Sequence, residues 1–352
     1  MKQSHSLTRR RVLLRGACAG AGLAFGGAPF VSRRALGATT ISFVSFGGSY
    51  GDFVKEQWIK PFTAETGIAV QYVSGPDLAK VKAQVDNKNV EWDVFDAVGA
   101  SAYAGIKDNL WEPIDSGVLD PGRFVQRVAE TLVPTFIYAG GVAHDPARTK
   151  APANDFVQLW NVNTFPGARG LRSRASETLE LALLADGVSP PQLYPLDIDR
   201  GFKALDAIKP HVKKWFDQTA QGVTLIQTGE VDYTYTYANR VKAAKDSGVS
   251  IDFSFGQCIS AMNYYTIPRG CPRKQAATRF LEFITRPEQQ AVMANKLYVI
   301  PVTKGAETGL SDEARRWIPE MSSISKNVFV SDDYWREHFV AVDKRFKEWI
   351  LT

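Results

Sequence analysis

The side chains most able to do chemistry fall in a few short stretches. "FGGSYG" (Phe46 to Gly51) lies between a strand-like run, "TTISFVS", and a helix-like segment, "GDFVKEQWIKPF". A glycine-rich bend at a helix N-terminus leaves backbone N–H groups free, which is how phosphates and other anions are held. A dinucleotide loop needs G-x-G-x-x-G and an acidic residue about 20 positions on. Here the glycines read G-G-x-x-G at Gly47, Gly48 and Gly51, and the second strand ends in Tyr72, Val73 and Ser74 with no acid before Asp77. The nucleotide reading fails. What survives is either a plain tight turn or a bend from which Phe46, Ser49 and Tyr50 face some other bound molecule.

On "VDYTYTYANR", Tyr233, Tyr235 and Tyr237 alternate, so they share one strand face. That face serves core packing or a binding wall; Tyr237, at the strand end, is the candidate contact, and Arg240 a candidate anion contact. Tyr264 and Tyr265 are neighbours in a strand and point to opposite faces. H-E-x-x-H, G-x-S-x-G, C-x-x-C and Walker patterns are absent, and His144, His211 and His338 are far apart. No catalytic or metal constellation is legible, so no enzyme and no cofactor is expected. Cys258 and Cys271 flank "ISAMNYYTIPRG", whose extended form holds them beyond the roughly 6 Å that a disulfide spans. Two free thiols are the expectation, with a bridge the alternative that an oxidising compartment permits.

The elements that position these residues follow an export leader. "TRRRVLLRG" is basic, an apolar Gly/Ala-rich stretch runs from Ala17 to Val31, and small residues in "SRRALGA" suit cleavage after Gly37. The stretch is too short to span a bilayer, and "TRRRVLL" resembles a twin-arginine signal, with an ordinary secretory signal the alternative. The leader holds seven of the 42 basic residues and no acidic one, leaving 35 basic against 37 acidic side chains. A mature chain of that balance gives no support to nucleic-acid partners. Its length suggests two domains.

Strand and helix patterns then alternate, the mark of an α/β protein. Strands are expected at 39–46, 68–73, 92–98, 231–238 and 259–270. Two short strand pieces are expected within 131–145. Helices are expected at 51–67 (kinked or restarted at Pro61 and stopped at Gly67), 77–87, 176–187, 199–215 and 275–296; 101–115 is expected as a short helix and then a turn at Glu112-Pro113, and the C-terminus as largely helical.

"GGSYGDFVKEQWIKPFTAETGIAVQYV", "WDVFDAV", "LWEPID", "VPTFIYAGGVAHD", "DFVQLWNVNTFPGARG", "LELALLADGVS", "LIQTGEV" and "TIPRGCPRKQAATRFLEFITRPEQQ" follow one another over most of residues 40 to 303. In this order the blocks resemble the family 1 extracellular solute-binding proteins of ABC importers, and among them the spermidine/putrescine-binding branch. The resemblance implies an α/β, type II periplasmic-binding-protein fold: two α/β lobes, a hinge and an interlobe ligand cleft. Lobe 1 would be 39–143 with 259–303, and lobe 2 144–258 with 304–352. It also implies a monomeric periplasmic receptor that closes on a small solute and hands it to an ABC permease.

Departures from the polyamine pattern bear on the ligand. Glu177 keeps one acid of the segment "LRSRASETLEL", but Arg174 stands where another acid is expected. Asn263 replaces an aspartate, Ala261 an aromatic clamp, and Tyr237 stands where a clamping tryptophan is usual. A diamine needs carboxylates to offset the burial of its charges. Arg174 beside a helix N-terminus suits a carboxylate or phosphate instead, and with Glu177 a molecule bearing both an amine and an acid; the alternative is an Arg174 turned to solvent. The implied cleft comprises Phe46, Ser49 and Tyr50 of the loop, Ser101 and Tyr103 after the third strand, Arg174 and Glu177, and Tyr237, Arg240, Asn263 and Tyr264 near the hinge strands. Two rivals stand beside this reading. One is a ferric-ion receptor of the same fold using Tyr264 and Tyr265. The other is an exported enzyme carrying a cofactor.

Overall fold

The computed structural model describes residues 39–126, 128–319 and 328–352, with the side chains of Ser49 and Ala100 outside the description. The expected leader, 1–37, lies outside the described residues. Among the described residues, ten strands form one mixed sheet: β1 (Thr40–Ser45), β2 (Ala69–Ser74), β3 (Val94–Val98), β4 (Val133–His144), β5 (Arg169–Arg172), β6 (Val212–Phe216), β7 (Tyr233–Tyr237), β8 (Asp252–Thr266), β9 (Ile300–Pro301) and β10 (Val328–Phe329). Their order is β2-β1-β3-β8-β4-β7-β5-β6, with β9 on β4 and β10 on β8.

The first three strands are parallel, as are β5, β6 and β7, and the helices between them make the required crossovers. β4 and β8 join the two parallel groups. β8 pairs β3 through Asn263–Thr266 and β4 through Asp252–Tyr265, while β4 pairs β7 through Gly140–His144. Its register with β8 shifts between Pro134 and Phe136 and again between Gly140 and Val142. Bulges of this kind bend a strand and increase its twist.

Two large cores lie on either side of that junction. One gathers Phe43, Trp58, Phe62, Phe95, Tyr265 and Phe280, all at most 2% exposed. Its rings meet edge to face, as in Phe62–Phe280 and Phe43–Tyr265, each at 5.1 Å between centroids. The other gathers Val142, Leu171, Leu179, Tyr235, Trp335 and Phe346. Each such side chain contributes about 1.5–3 kcal/mol through burial.

Several local expectations needed correction. "TLVPTFIYAGGVAHD" forms one 12-residue strand, β4, rather than two pieces. The helix expected over 199–215 ends at Ile208, after which Pro210 lies in a single tight turn and "VKKWF" becomes β6. The helix expected over 275–296 is two, Lys274–Ile284 and Pro287–Leu297. Arg286 precedes a proline and is extended (ψ 147°). Other local expectations hold: Val54–Ile59 is π-helical, a separate α-helix, Lys60–Thr66, restarts with Pro61 in its first turn, and Gly67 ends it at φ 72°.

Candidate functional site

A cavity of about 370 Å³ opens where the two cores face each other. From the first side come Phe46, Gly47, Tyr50, Val98, Phe136, Tyr138, Asn263, Leu297 and Val299. From the second come Arg172, Arg174, Asp217, Gln218, Thr219, Tyr237, Asn239 and Arg240. Of the residues expected at a cleft, Phe46, Tyr50, Arg174, Tyr237, Arg240 and Asn263 are brought together here. The Ser49 side chain lies outside the described residues.

The loop does its part through its backbone shape. Gly48 has φ 70° and ψ −153°, which only glycine adopts without strain, and a Cβ on Gly47 would lie 2.8 Å from Ser74 Oγ. Tyr72 donates its hydroxyl to the Phe46 carbonyl, and the Tyr50 and Tyr265 hydroxyls bond one another. Phe46 is thereby presented 42% exposed at the rim. Tyr50 packs on Phe136, and Tyr138 on Tyr237 at 4.5 Å between centroids. Tyr50 and Tyr138 have pKa values raised well above the usual phenol, chiefly by burial, so both remain neutral donors.

The polar end is built on β5 and the turn after it. Alternation along an extended chain puts Arg172 and Arg174 on one side, while Arg169 points the other way and is spent on the carbonyls of Leu159, Phe165 and Gly167. Arg172 donates to Tyr237 Oη at 2.8 Å, to the Asp217 carbonyl at 3.0 Å and to Glu177 Oε1 at 3.4 Å. Arg174 Nη1 lies 4.0 Å from Glu177 Oε1. Burial opposes both guanidinium charges, yet Glu177 and the tyrosines around them more than offset it, and both pKa values are raised.

Glu177, 1% exposed, does not line the cavity. Its carboxylate accepts from Tyr235 at 2.8 Å and from Tyr237 at 3.0 Å, besides Arg172. Its backbone holds φ 72°, ψ −39°, and the regular helix starts only after it. A non-glycine residue in that region stores strain, of order 1–3 kcal/mol, which its surroundings must offset. The Glu177 amide, donating to Glu180 Oε2 at 2.8 Å, helps to do so; Glu180 Oε1 in turn accepts from Tyr194 and Trp335.

Ser101, Tyr103 and Tyr264 are also absent from the cavity lining. Ser101 Oγ caps the Val98 carbonyl, and Tyr264 turns to the strand face opposite Asn263, where it packs on Tyr103 and donates to Asp332 at 2.6 Å. Tyr264 and Tyr265 do face apart, and no cluster of three His, Cys, Asp or Glu side chains is placed to hold a metal ion among the described residues. Cys258 and Cys271 are buried thiols that are not joined in a disulfide, with pKa values pushed up to about 12, chiefly by burial, which leaves little thiolate for chemistry.

Sequence reasoning did not single out Arg172, Phe136, Tyr138, Asp217 or Asn239. The parity of Arg172 with Arg174 was the available signal for the first. Two buried polar atoms of the cavity residues find no partner among the described residues: Arg172 Nε, a donor, and Asn239 Oδ1, an acceptor.

Gly140 on β4 shows how tightly this array is backed. A Cβ there would come 1.9 Å from the Tyr235 hydroxyl that serves Glu177. Gly140→Ala is expected to destabilise the fold by about 1–3 kcal/mol, as overpacking does, read as a lowered thermal midpoint.

The described helices include none long and apolar enough to cross a membrane. A family model for bacterial extracellular solute-binding proteins matches residues 57–318. The gamma-aminobutyric acid-binding protein of Pseudomonas aeruginosa is 30% identical over 334 residues, covering 92% of this chain and 94% of that protein. The putrescine-binding periplasmic protein SpuD of the same species is 22% identical over 303 residues, covering 76% and 80%. The solved structure of the Atu4243-GABA receptor superposes with a TM-score of 0.83 at 31% identity, covering 89% of this chain and 98% of that one.

Proposed function

We propose, from the premise that the chain belongs to the bacterial extracellular solute-binding proteins and is the substrate-binding component of an ABC transporter, that its ligand is a short ω-amino acid of the γ-aminobutyrate class. One observation carries this choice over a diamine. The cavity gathers Arg172, Arg174 and Arg240, while the carboxylate beside the first two, Glu177, is already held by two tyrosines and an arginine. A surplus of guanidinium groups repels an ammonium at that end and takes a carboxylate in forked, charge-assisted bonds. The relatives that bind gamma-aminobutyric acid and putrescine frame the same alternative, and the arginines favour the first.

Capture proceeds by hinge closure about β4 and β8, with lobe boundaries near 143/144, 258/259 and 303/304; the two separate cores support that division. The protein acts as a monomer, without catalysis, and delivers its ligand to the permease in the periplasm. The leader routes it through twin-arginine export, with cleavage after Gly37.

A thermal-shift series with γ-aminobutyrate, butyrate and putrescine tests the ligand class. A ligand at 100 times its dissociation constant adds about 2.7 kcal/mol of stability, a shift of several degrees. γ-Aminobutyrate is expected to produce it and putrescine to produce none; the reverse order would refute the proposal. In Arg174→Ala the melting point without ligand should stay within about two degrees of the parent. Affinity for the amino acid should fall by about 2 kcal/mol or more, roughly 30-fold.

A further inference from the structure

Beneath the cleft, on the side away from the arginines, one carboxylate has no cation beside it. Asp96 of β3 is 1% exposed and accepts from the Ser45 hydroxyl and from the Asn263 side-chain amide. The titratable side chains that face it are Tyr50, Tyr72 and Tyr265, neutral phenols whose own pKa values are raised, first by burial. No lysine, arginine or histidine acts on Asp96 among the described residues. A carboxylate out of water is costly unless something offsets its charge.

Asn263 connects this carboxylate to the cleft. Its side-chain nitrogen donates to Asp96 Oδ1 and, at 3.3 Å, to Thr135 Oγ1. Both amide hydrogens are therefore spent on the protein, and the atom left over is the carbonyl Oδ1, an acceptor on a residue that lines the cavity.

The geometry points to Asn263 and Asp96 as the ammonium end of the ligand site. Asn263 Oδ1 accepts from the ligand's ammonium, while Asp96 fixes the amide in that orientation and holds the negative charge that the ammonium offsets. Asp96 is a positioning residue and touches no ligand atom. The inference rests on the amino-acid reading above and assigns the ligand's polarity: acid on the β5 arginines, amine on β8. One molecule then ties together residues from both sides of the cleft, and neither charged end alone does so.

Burial pushes the Asp96 pKa up to about 7, with Ser45 and Asn263 pulling it back. The carboxylate is the form that favours a bound ammonium, so affinity for the amine rises with pH through that value. The ligand's own amine and acid keep their charges between pH 6 and pH 8.

The test is competition calorimetry on the intact protein with γ-aminobutyrate and with butyrate, which lacks the amine, at pH 6 and pH 8. The ratio of the butyrate to the γ-aminobutyrate dissociation constant removes everything the arginines do to both ligands. It is expected to rise about tenfold from pH 6 to pH 8, following the ionised fraction of a group titrating near 7. In Asp96→Asn the ratio should be flat with pH and about tenfold lower at pH 8, with butyrate affinity within twofold of the parent. A ratio in the parent protein that does not move with pH, or an Asp96→Asn variant that loses both ligands equally, overturns the role of Asp96 and leaves the amino-acid reading standing. If neither compound binds at either pH, the amino-acid reading itself fails, and this inference with it.

Discussion

Replacing Arg172 with alanine is expected to lower stability by about 3–5 kcal/mol and to abolish measurable binding of an acidic ligand. The guanidinium ties together three things at once: Tyr237 at the end of β7, the Asp217 carbonyl after β6, and Glu177 at the start of its helix. At 7% exposure it is shielded from solvent, so its removal leaves Glu177 with a weaker counter-charge and the Asp217 carbonyl without this donor. Breaking a buried pair from one side costs in that range. Binding suffers separately, because the guanidinium lines the cavity and can meet a ligand carboxylate in a forked, charge-assisted contact. Arg172→Lys separates the two effects: a point charge restores part of the stability while the forked contact stays lost. Urea unfolding and ligand titration on both variants check this. An alanine variant that binds γ-aminobutyrate like the parent would remove Arg172 from the site.

Glu177→Gln is expected to destabilise by about 3 kcal/mol without changing the shape of the side chain or the strained backbone beneath it. Tyr235, Tyr237 and Arg172 all donate to the carboxylate, and the amide that replaces one oxygen brings hydrogens to a place already full of donors. The two arginines also lose the negative charge that offsets their burial. Because glutamine keeps φ near 72°, the loss reports electrostatics and hydrogen bonding rather than conformational strain. Denaturant unfolding measures it, and a loss under about 1 kcal/mol would show that Glu177 does not organise the arginine end.

Much of the architecture was legible because it is written in local patterns. β1 and β7 carry apolar or aromatic alternation, β3 is a short buried run, and the glycine bend and Gly67 mark their neighbours. The errors came where two patterns overlap. "ALDAIKPHVKKWF" carries a helix period into β6, and its change of state is decided by pairing with β5, which lies 40 residues earlier. The break at Arg286–Pro287 has its own local signal in the proline, which disfavours a helical conformation at the residue before it.

The site was legible in part, for a different reason. Arg174, Tyr237 and Asn263 stand out as single residues in short motifs. The Asp96–Asn263 bond joins residues 167 positions apart, and no local pattern foretells it. Ser101, Tyr103 and Tyr264 sit in motifs no different from their neighbours', yet strand parity takes Tyr264, with Tyr103 packed on it, to Asp332, and the Ser101 hydroxyl turns to the Val98 carbonyl. Glu177 sits in the segment expected to contact the ligand. Its real company is two tyrosines and an arginine, an arrangement that depends on a left-handed residue sequence reasoning had no cause to expect.

If the arginines of β5 hold the acid end of an amino-acid ligand, a crystal structure with γ-aminobutyrate bound will place the ligand carboxylate within hydrogen-bond distance of both Arg172 and Arg174, with the ammonium turned toward Asn263. A carboxylate lying away from both guanidinium groups, or an ammonium set against Glu177, would contradict it.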